Sequence, residues 1–208
     1  MMMSGRDMKD CARQALGDKI FGNVWLFATL ACLVYSLANA AFGVILPGAG
    51  LLLVSGPLAY GSAFVFLKNA RDGKEVGISE LFTRGFQDDF SCTFLLGLLT
   101  GIFTLLWSLL LIIPGIVKAY SYSLVYYLKI DHPEYDWRTC ISESQRLMKG
   151  HKMRKFLLDL SFIGWFIVGS FCLGIGTFWA DAYLQATSAR FYECVRSQTP
   201  RLPDVEDV

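Results

Sequence analysis

The sequence predicts an all-α, polytopic membrane protein, and three observations predict it. Long apolar runs recur at 23–46, 50–67, 92–113, 114–128 and 156–180. The first, third and fifth exceed the ~20 residues that cross a hydrocarbon core. The 208 residues are 54% hydrophobic and 18% charged, against about 25% charged in a soluble domain, and mean hydropathy is +0.43. Lysines and arginines gather at 6–19, 68–84, 129–155 and 190–201 and are missing from the turns around Pro47-Gly48, Pro114-Gly115 and 174–176. The positive-inside rule then places the charged segments and both termini in the cytoplasm and the short turns outside. Only Lys118 breaks the pattern. The runs lack the two-residue alternation of a transmembrane barrel. A net charge of +1 gives no reason to expect nucleic acid as a partner.

The first element is amphipathic, "QALGDKIFGNVW", and leads into the run at 23–46. Ala38-x-Ala40 resembles a signal-peptidase site. However, Asp7, Asp10 and Asp18 lie before the run and the run continues past the site, so a retained helix is expected. A returning helix follows, containing "LAYGSAFVF". The next set repeats the order with "SELFTRGFQDDF", the run at 92–113 and a return through "KAYSYSLVY". The third has "SQRLMKGHKMRKF", the run at 156–180 and a return through "DAYLQATSARF". Leu16, Leu81 and Leu147 stand in register about 65 residues apart, as do Ala59-Tyr60, Ala119-Tyr120 and Ala182-Tyr183. A fixed period of this length signals tandem duplication. The expectation is six transmembrane helices in three parallel hairpins, each preceded by an interfacial helix. Residues 1–196 form one membrane domain, with units at about 8–68, 74–130 and 139–196, and 197–208 form a disordered cytoplasmic tail.

The interfacial pieces are basic and apolar together. They are expected at the cytoplasmic headgroup boundary, with anionic lipid as their partner. The six cysteines, Cys11, Cys32, Cys92, Cys140, Cys172 and Cys194, avoid the outer turns and form no C-x-x-C, so free thiols are expected. Pro57, Pro114 and their neighbouring glycines mark kinks or turns. Gly97 and Gly101 form a GxxxG face for close helix packing.

Chemistry is sought among polar residues at membrane depth. The residues before the three Ala-Tyr pairs are Leu58, Lys118 and Asp181, so Lys118 has a candidate counter-charge at its own level. Asp181, Gln185, Ser188 and Tyr192 make a polar stripe on the third return, and Lys118, Ser121 and Tyr122 begin one on the second. Such stripes face other helices or a wet cavity. These seven residues, with the repeat tyrosines Tyr60, Tyr120 and Tyr183, are the candidate ligand site. No nucleophile elbow, Walker loop, H-E-x-x-H or dinucleotide-binding glycine pattern occurs. His132 and His151 lack ligand spacing, and Asp88-Asp89 reads as a solvated pair. No catalytic residue, metal or cofactor is expected.

Two long stretches, "LLLIIPGIVKAYSYSLVYYLKIDHP" and "SESQRLMKGHKMRKFLLDLSFIGW", resemble the bacterial integral-membrane family catalogued as domain of unknown function 975. The resemblance is carried by Pro114-Gly115, Lys118, Tyr120, Ser121, Tyr122, Asp131, Pro133, Ser144, Leu147 to Gly150, Phe162 to Trp165, and Ala189-x-Phe191-Tyr192. It covers nearly the whole chain and implies a bacterial cytoplasmic membrane location, but no activity. Where that family often has proline before the tyrosine of the last helix, this chain has Ala182. Two functions fit these features. One is a non-enzymatic transport-related or amphiphile- or lipid-binding module with a polar cleft between return helices. The other is a scaffold or regulator that recruits an unidentified protein through its basic cytoplasmic helices.

Overall fold

The computed structural model describes residues 5–16, 23–45, 49–72, 78–87, 90–110, 112–171 and 175–198, and the regular structure among them is entirely α-helical. The order is α1 (Gly5–Leu16), α2 (Asn23–Ile45), α3 (Ala49–Asp72), α4 (Ile78–Gln87), α5 (Phe90–Leu110), α6 (Ile112–Tyr122), α7 (Val125–Asp131), α8 (Trp137–Leu147), α9 (Lys152–Phe171) and α10 (Ile175–Gln198). Helices α1, α4 and α8 are the three amphipathic pieces, each followed by a long apolar helix and a return, which is one long helix in the first and third sets and two short ones in the second. The turn at Pro47-Gly48, Asp18, Asp88-Asp89, Cys172 and the tail beyond Gln198 lie outside the described residues.

Among the described residues one helix, α5, is long and apolar enough to cross a membrane, over Phe90–Trp107, and α2 has a shorter apolar stretch at Val24–Leu37. The other long helices carry charges or polar stripes: Arg154, Lys155 and Asp159 in α9, and Asp181 through Tyr192 in α10.

Burial separates two kinds of long helix. Nearly every residue from 56 to 70 in α3 is buried, as are Leu124 to Lys129 except Tyr126, and Ala182, Ala186, Ala189, Phe191 and Tyr192 in α10. Helices α2, α5 and α9 instead turn large apolar side chains outward, among them Leu37, Leu105, Leu106, Ile163, Trp165 and Val168. Each outer helix packs between two inner ones: α2 on α3 and α10, α5 on α6 and α3, α9 on α10 and α6. The amphipathic helices follow the same order, with α4 on α3, α8 on α7 and α6, and α1 on α10. Each set therefore rests on the returning helix of the set before it, and the first closes on the last.

Local contacts explain the docking. Helix α1 buries Met8 and Ala12, its Lys9 ammonium lies 4.5 Å from the Phe162 ring centroid, and Tyr183 donates to the Lys9 carbonyl at 3.1 Å. On α4, Glu80 pairs with Lys68 at 2.6 Å and Arg84 lies 5.3 Å from the Phe64 ring centroid. Buried Ser144 of α8 donates to the Ser121 carbonyl at 2.7 Å. After α8 the chain turns at Gly150, whose φ of +81° requires glycine. That turn gives a physical reason for the Met-Lys-Gly piece.

Two expectations about the returning helices change. The second return is broken at Ser123 and Leu124, so α6 and α7 are separate helices. Ser123 donates through both its backbone N–H and its hydroxyl to the Tyr120 carbonyl, and Leu124 adopts φ −100°, ψ 1°. A serine competing for a helix carbonyl favours such a break. Pro57, in contrast, lies inside a continuous α3, and Pro114 falls in the first turn of α6, where its missing N–H has no intrahelical partner to lose. Helix α10 runs unbroken through fully buried Ala182. The GxxxG face is used at one end only. A Cβ on Gly97 would stand 2.5 Å from the Gly56 Cα, while one on Gly101 would meet nothing within 4 Å. Cys11, Cys32, Cys92, Cys140 and Cys194 are free thiols.

Candidate functional site

Lys118 and Asp181 do not pair. Lys118 points toward α5, its ammonium 5.3 Å from the Trp107 ring centroid. Asp181 lies beside Cys32 and Ala31 of α2 and Ser62 of α3. The cause is packing: α6 rests on α5, α8 and α9, whereas α10 rests on α9, α1, α2 and α3, so equal depth does not bring these residues together. Lys118→Met and Asp181→Leu should therefore change the detergent melting temperature additively, as for sites without shared partners. Recovery in the double variant would restore the pairing.

The stripe on α10 does face inward along its length. Gln185 and Ser188 line a cavity of about 220 Å³ at the centre of the bundle, with Ala59 and Ser62 from α3 and Tyr35 from α2. Ser123, Leu124, Tyr126 and Tyr127 close its side at the α6–α7 break. Buried Lys155 of α9 completes the wall, donating to Asp159 Oδ1 at 2.5 Å and Ser188 Oγ at 3.0 Å. An ammonium carries three N–H donors. The third, and the Gln185 amide, have no protein partner among the described residues, so both can serve a solute in the cavity. The pair with Asp159 makes this corner neutral, which suits a polar molecule better than a strong anion.

The second expected stripe faces elsewhere. Ser121 donates to the Val117 carbonyl of its own helix at 2.8 Å, and Tyr122 packs toward Phe103 of α5 with ring centroids 6.4 Å apart. The repeat tyrosines are structural in their contacts. Tyr60 is buried, Tyr120 meets Phe156 edge-on, and Tyr183 meets Phe162 edge-on and Trp25 at a tilt.

One turn beyond the cavity, roughly 6 Å along the helices, an ionic cluster joins the ends of α3, α7 and α10. The Asp131 side chain is only 3% exposed. It takes Arg71 at 2.7 Å, Arg196 at 2.8 Å and the Tyr192 hydroxyl at 2.5 Å. Arg71 also bonds Glu193 at 2.7 Å, and the Tyr192 ring stacks on Tyr127. Buried Lys129 donates to the carbonyls of Pro133 at 2.6 Å and Tyr135 at 3.2 Å, fixing the link from α7 to α8. In that link the backbone N–H of Glu134, followed by the His132 ring, holds the Glu134 carboxyl below its ordinary range.

Sequence reasoning missed Lys155, Asp159 and the α6–α7 break. Lys155 stands at the edge of a basic stretch and reads as a headgroup anchor. The available signal was Asp159, the one acid in the first turns of the run at 156–180, four residues from a lysine. Asp131 and Tyr192 were legible as features of a family resemblance but not as partners.

Residues 108–199 match the model of a family described as "Protein of unknown function (DUF975)". The match covers the region from the end of α5 through α10, narrower than the nearly complete resemblance expected from the motifs. No curated protein and no solved structure matches the chain.

Proposed function

We propose that this chain, whose residues 108–199 carry the domain of unknown function 975, is a non-enzymatic, multi-pass protein of the bacterial cytoplasmic membrane. In this reading its central cavity receives a small polar or amphiphilic solute, to bind it or pass it across. The observation that carries this reading is the 220 Å³ cavity, with the free N–H of Lys155 and the Gln185 amide set inside an apolar bundle. Two further features support it. Only 11% of the Phe90–Trp107 stretch is buried, unlike the core helix of a soluble protein, and α2 and α9 also expose apolar faces that lipid would cover. The cyclic packing of the three helix sets is what a threefold repeat of six spans would give, with both termini cytoplasmic and the amphipathic helices at the inner headgroups.

One labelling experiment tests topology and cavity together. In a cysteine-free background, an impermeant thiol reagent should label Ala49→Cys from outside intact cells, and Gly73→Cys only after permeabilisation. A small water-soluble methanethiosulfonate should reach Ser62→Cys in the reconstituted protein. Labelling of Gly73→Cys in intact cells would remove the six-span reading. An unreactive Ser62→Cys would indicate a dry core and move the assignment to a scaffold that recruits partners through its basic helices.

A further inference from the structure

A second opening, which shares Ser123 with the central cavity, lies on the bundle's outer side between α5 and α6. It is a groove of about 490 Å³ walled by Gly97, Thr100, Gly101 and Thr104 on α5 and by Ala119 and Tyr122 on α6. The space beside Gly101 is open, since a Cβ added there would meet no other atom within 4 Å. The Thr100 hydroxyl is turned back onto the Leu96 carbonyl at 2.6 Å, which leaves its methyl group to the groove. Ile102, Leu105, Leu106, Ile116 and Val117 are exposed on the flanks. The lining is mostly apolar, which suits a chain of methylenes.

Polar groups stand on both walls, Thr100 and Thr104 on α5 and Tyr122 and Ser123 on the other side. Lys118 and Tyr122 stand four residues apart on α6, roughly 6 Å along its axis. No carboxylate of the described residues lies within ion-pair distance of Lys118, and the Tyr122 hydroxyl has no protein partner among them. Trp107, beneath the Lys118 ammonium, is the residue type that gathers at headgroup level. Lys118 immediately precedes the lining residue Ala119 and stands one turn nearer the N-terminal end of α6 than Tyr122, the order in which a phosphate and an acyl ester follow one another in a lipid.

We infer that this groove holds an anionic glycerophospholipid, with one acyl chain along Gly101 and Thr100. The phosphate rests on Lys118, and the ester carbonyl accepts a hydrogen bond from Tyr122. This assignment gives the one cation outside the cytoplasmic clusters a ligand. It rests on the membrane reading above.

The test uses the full chain, delipidated in detergent and offered equal amounts of dioleoylphosphatidylglycerol and dioleoylphosphatidylcholine, with bound lipid counted by native mass spectrometry. One phosphatidylglycerol should be retained preferentially. Lys118→Met should remove the headgroup preference, about fivefold for one basic residue near a membrane surface, while keeping lipid binding. Gly101→Leu should fill the groove and lower retention of both lipids at an unchanged thermal midpoint. If Gly101→Leu disturbs folding, Ala119→Leu on the facing wall serves instead. Wild-type retention in a folded, filled variant would overturn the proposal, as would displacement of the lipid by inorganic phosphate. A wild-type chain that floats with liposomes but retains no lipid overturns the groove alone. A chain that fails to float overturns the membrane reading and the groove with it.

Discussion

Asp131→Leu is expected to lower stability in detergent by about 3 kcal/mol, the low end of the range for breaking a buried ion pair from one side. The low end applies because Arg71 and Arg196 keep 35% and 33% of their side chains exposed, so solvent screens part of the uncompensated charge. Thermal midpoints of proteins this size shift by about 2–4 °C per kcal/mol, so a fall of about 6–12 °C should be read. The carboxylate ties α7 to both other inner helices: Arg71 comes from α3, Arg196 and Tyr192 from α10. Tyr192→Phe removes a single hydrogen bond to a charged group, so about 1.5 kcal/mol is expected from it. Adding Arg196→Leu to Asp131→Leu should recover part of the loss, because one unpaired cation goes with its partner. An Asp131→Leu protein that melts with the wild type would mean the helix ends are held by apolar packing alone.

The second large effect is expected at Gly97. Gly97→Ala would place a methyl group 2.5 Å from the Gly56 Cα and 3.1 Å from its nitrogen. Both neighbours are backbone, so no rotamer change relieves the contact and α3 must move away from α5. Overpacking of this kind costs roughly 1–3 kcal/mol, and the upper end is expected here. Gly56→Ala meets the Thr93 carbonyl oxygen at 2.7 Å and should behave alike, while the double variant should lose less than the sum because both strain one contact. Gly101→Ala, one turn along the same helix, meets nothing and should be neutral or gain up to about 1 kcal/mol in helix propensity. Equal melting temperatures for Gly97→Ala and Gly101→Ala would remove the close α3–α5 contact.

The contrast between those two glycines shows where sequence reading stops. GxxxG states that two small residues share a helix face, and α5 confirms that spacing. It does not state which glycine meets a neighbour and which borders a groove. That depends on the crossing point of α5 with α3, which is set by all the side chains along both helices.

What the sequence determined by itself was local. Hydropathy gave the helical class seen among the described residues, the amphipathic pieces at α1, α4 and α8, and the inward stripe on α10, because burial follows helical periodicity residue by residue. The tertiary structure alone decided which polar residues meet. Lys118 and Asp181 share a depth yet face α5 and α2, since depth is read along one helix and direction depends on its neighbours. A two-residue break at Ser123 and Leu124 turned Tyr126 and Tyr127 toward the cavity and left Tyr122 toward α5. Asp131, Arg71 and Arg196 are 60 and more residues apart in sequence and become one ionic cluster only where the ends of three helices converge.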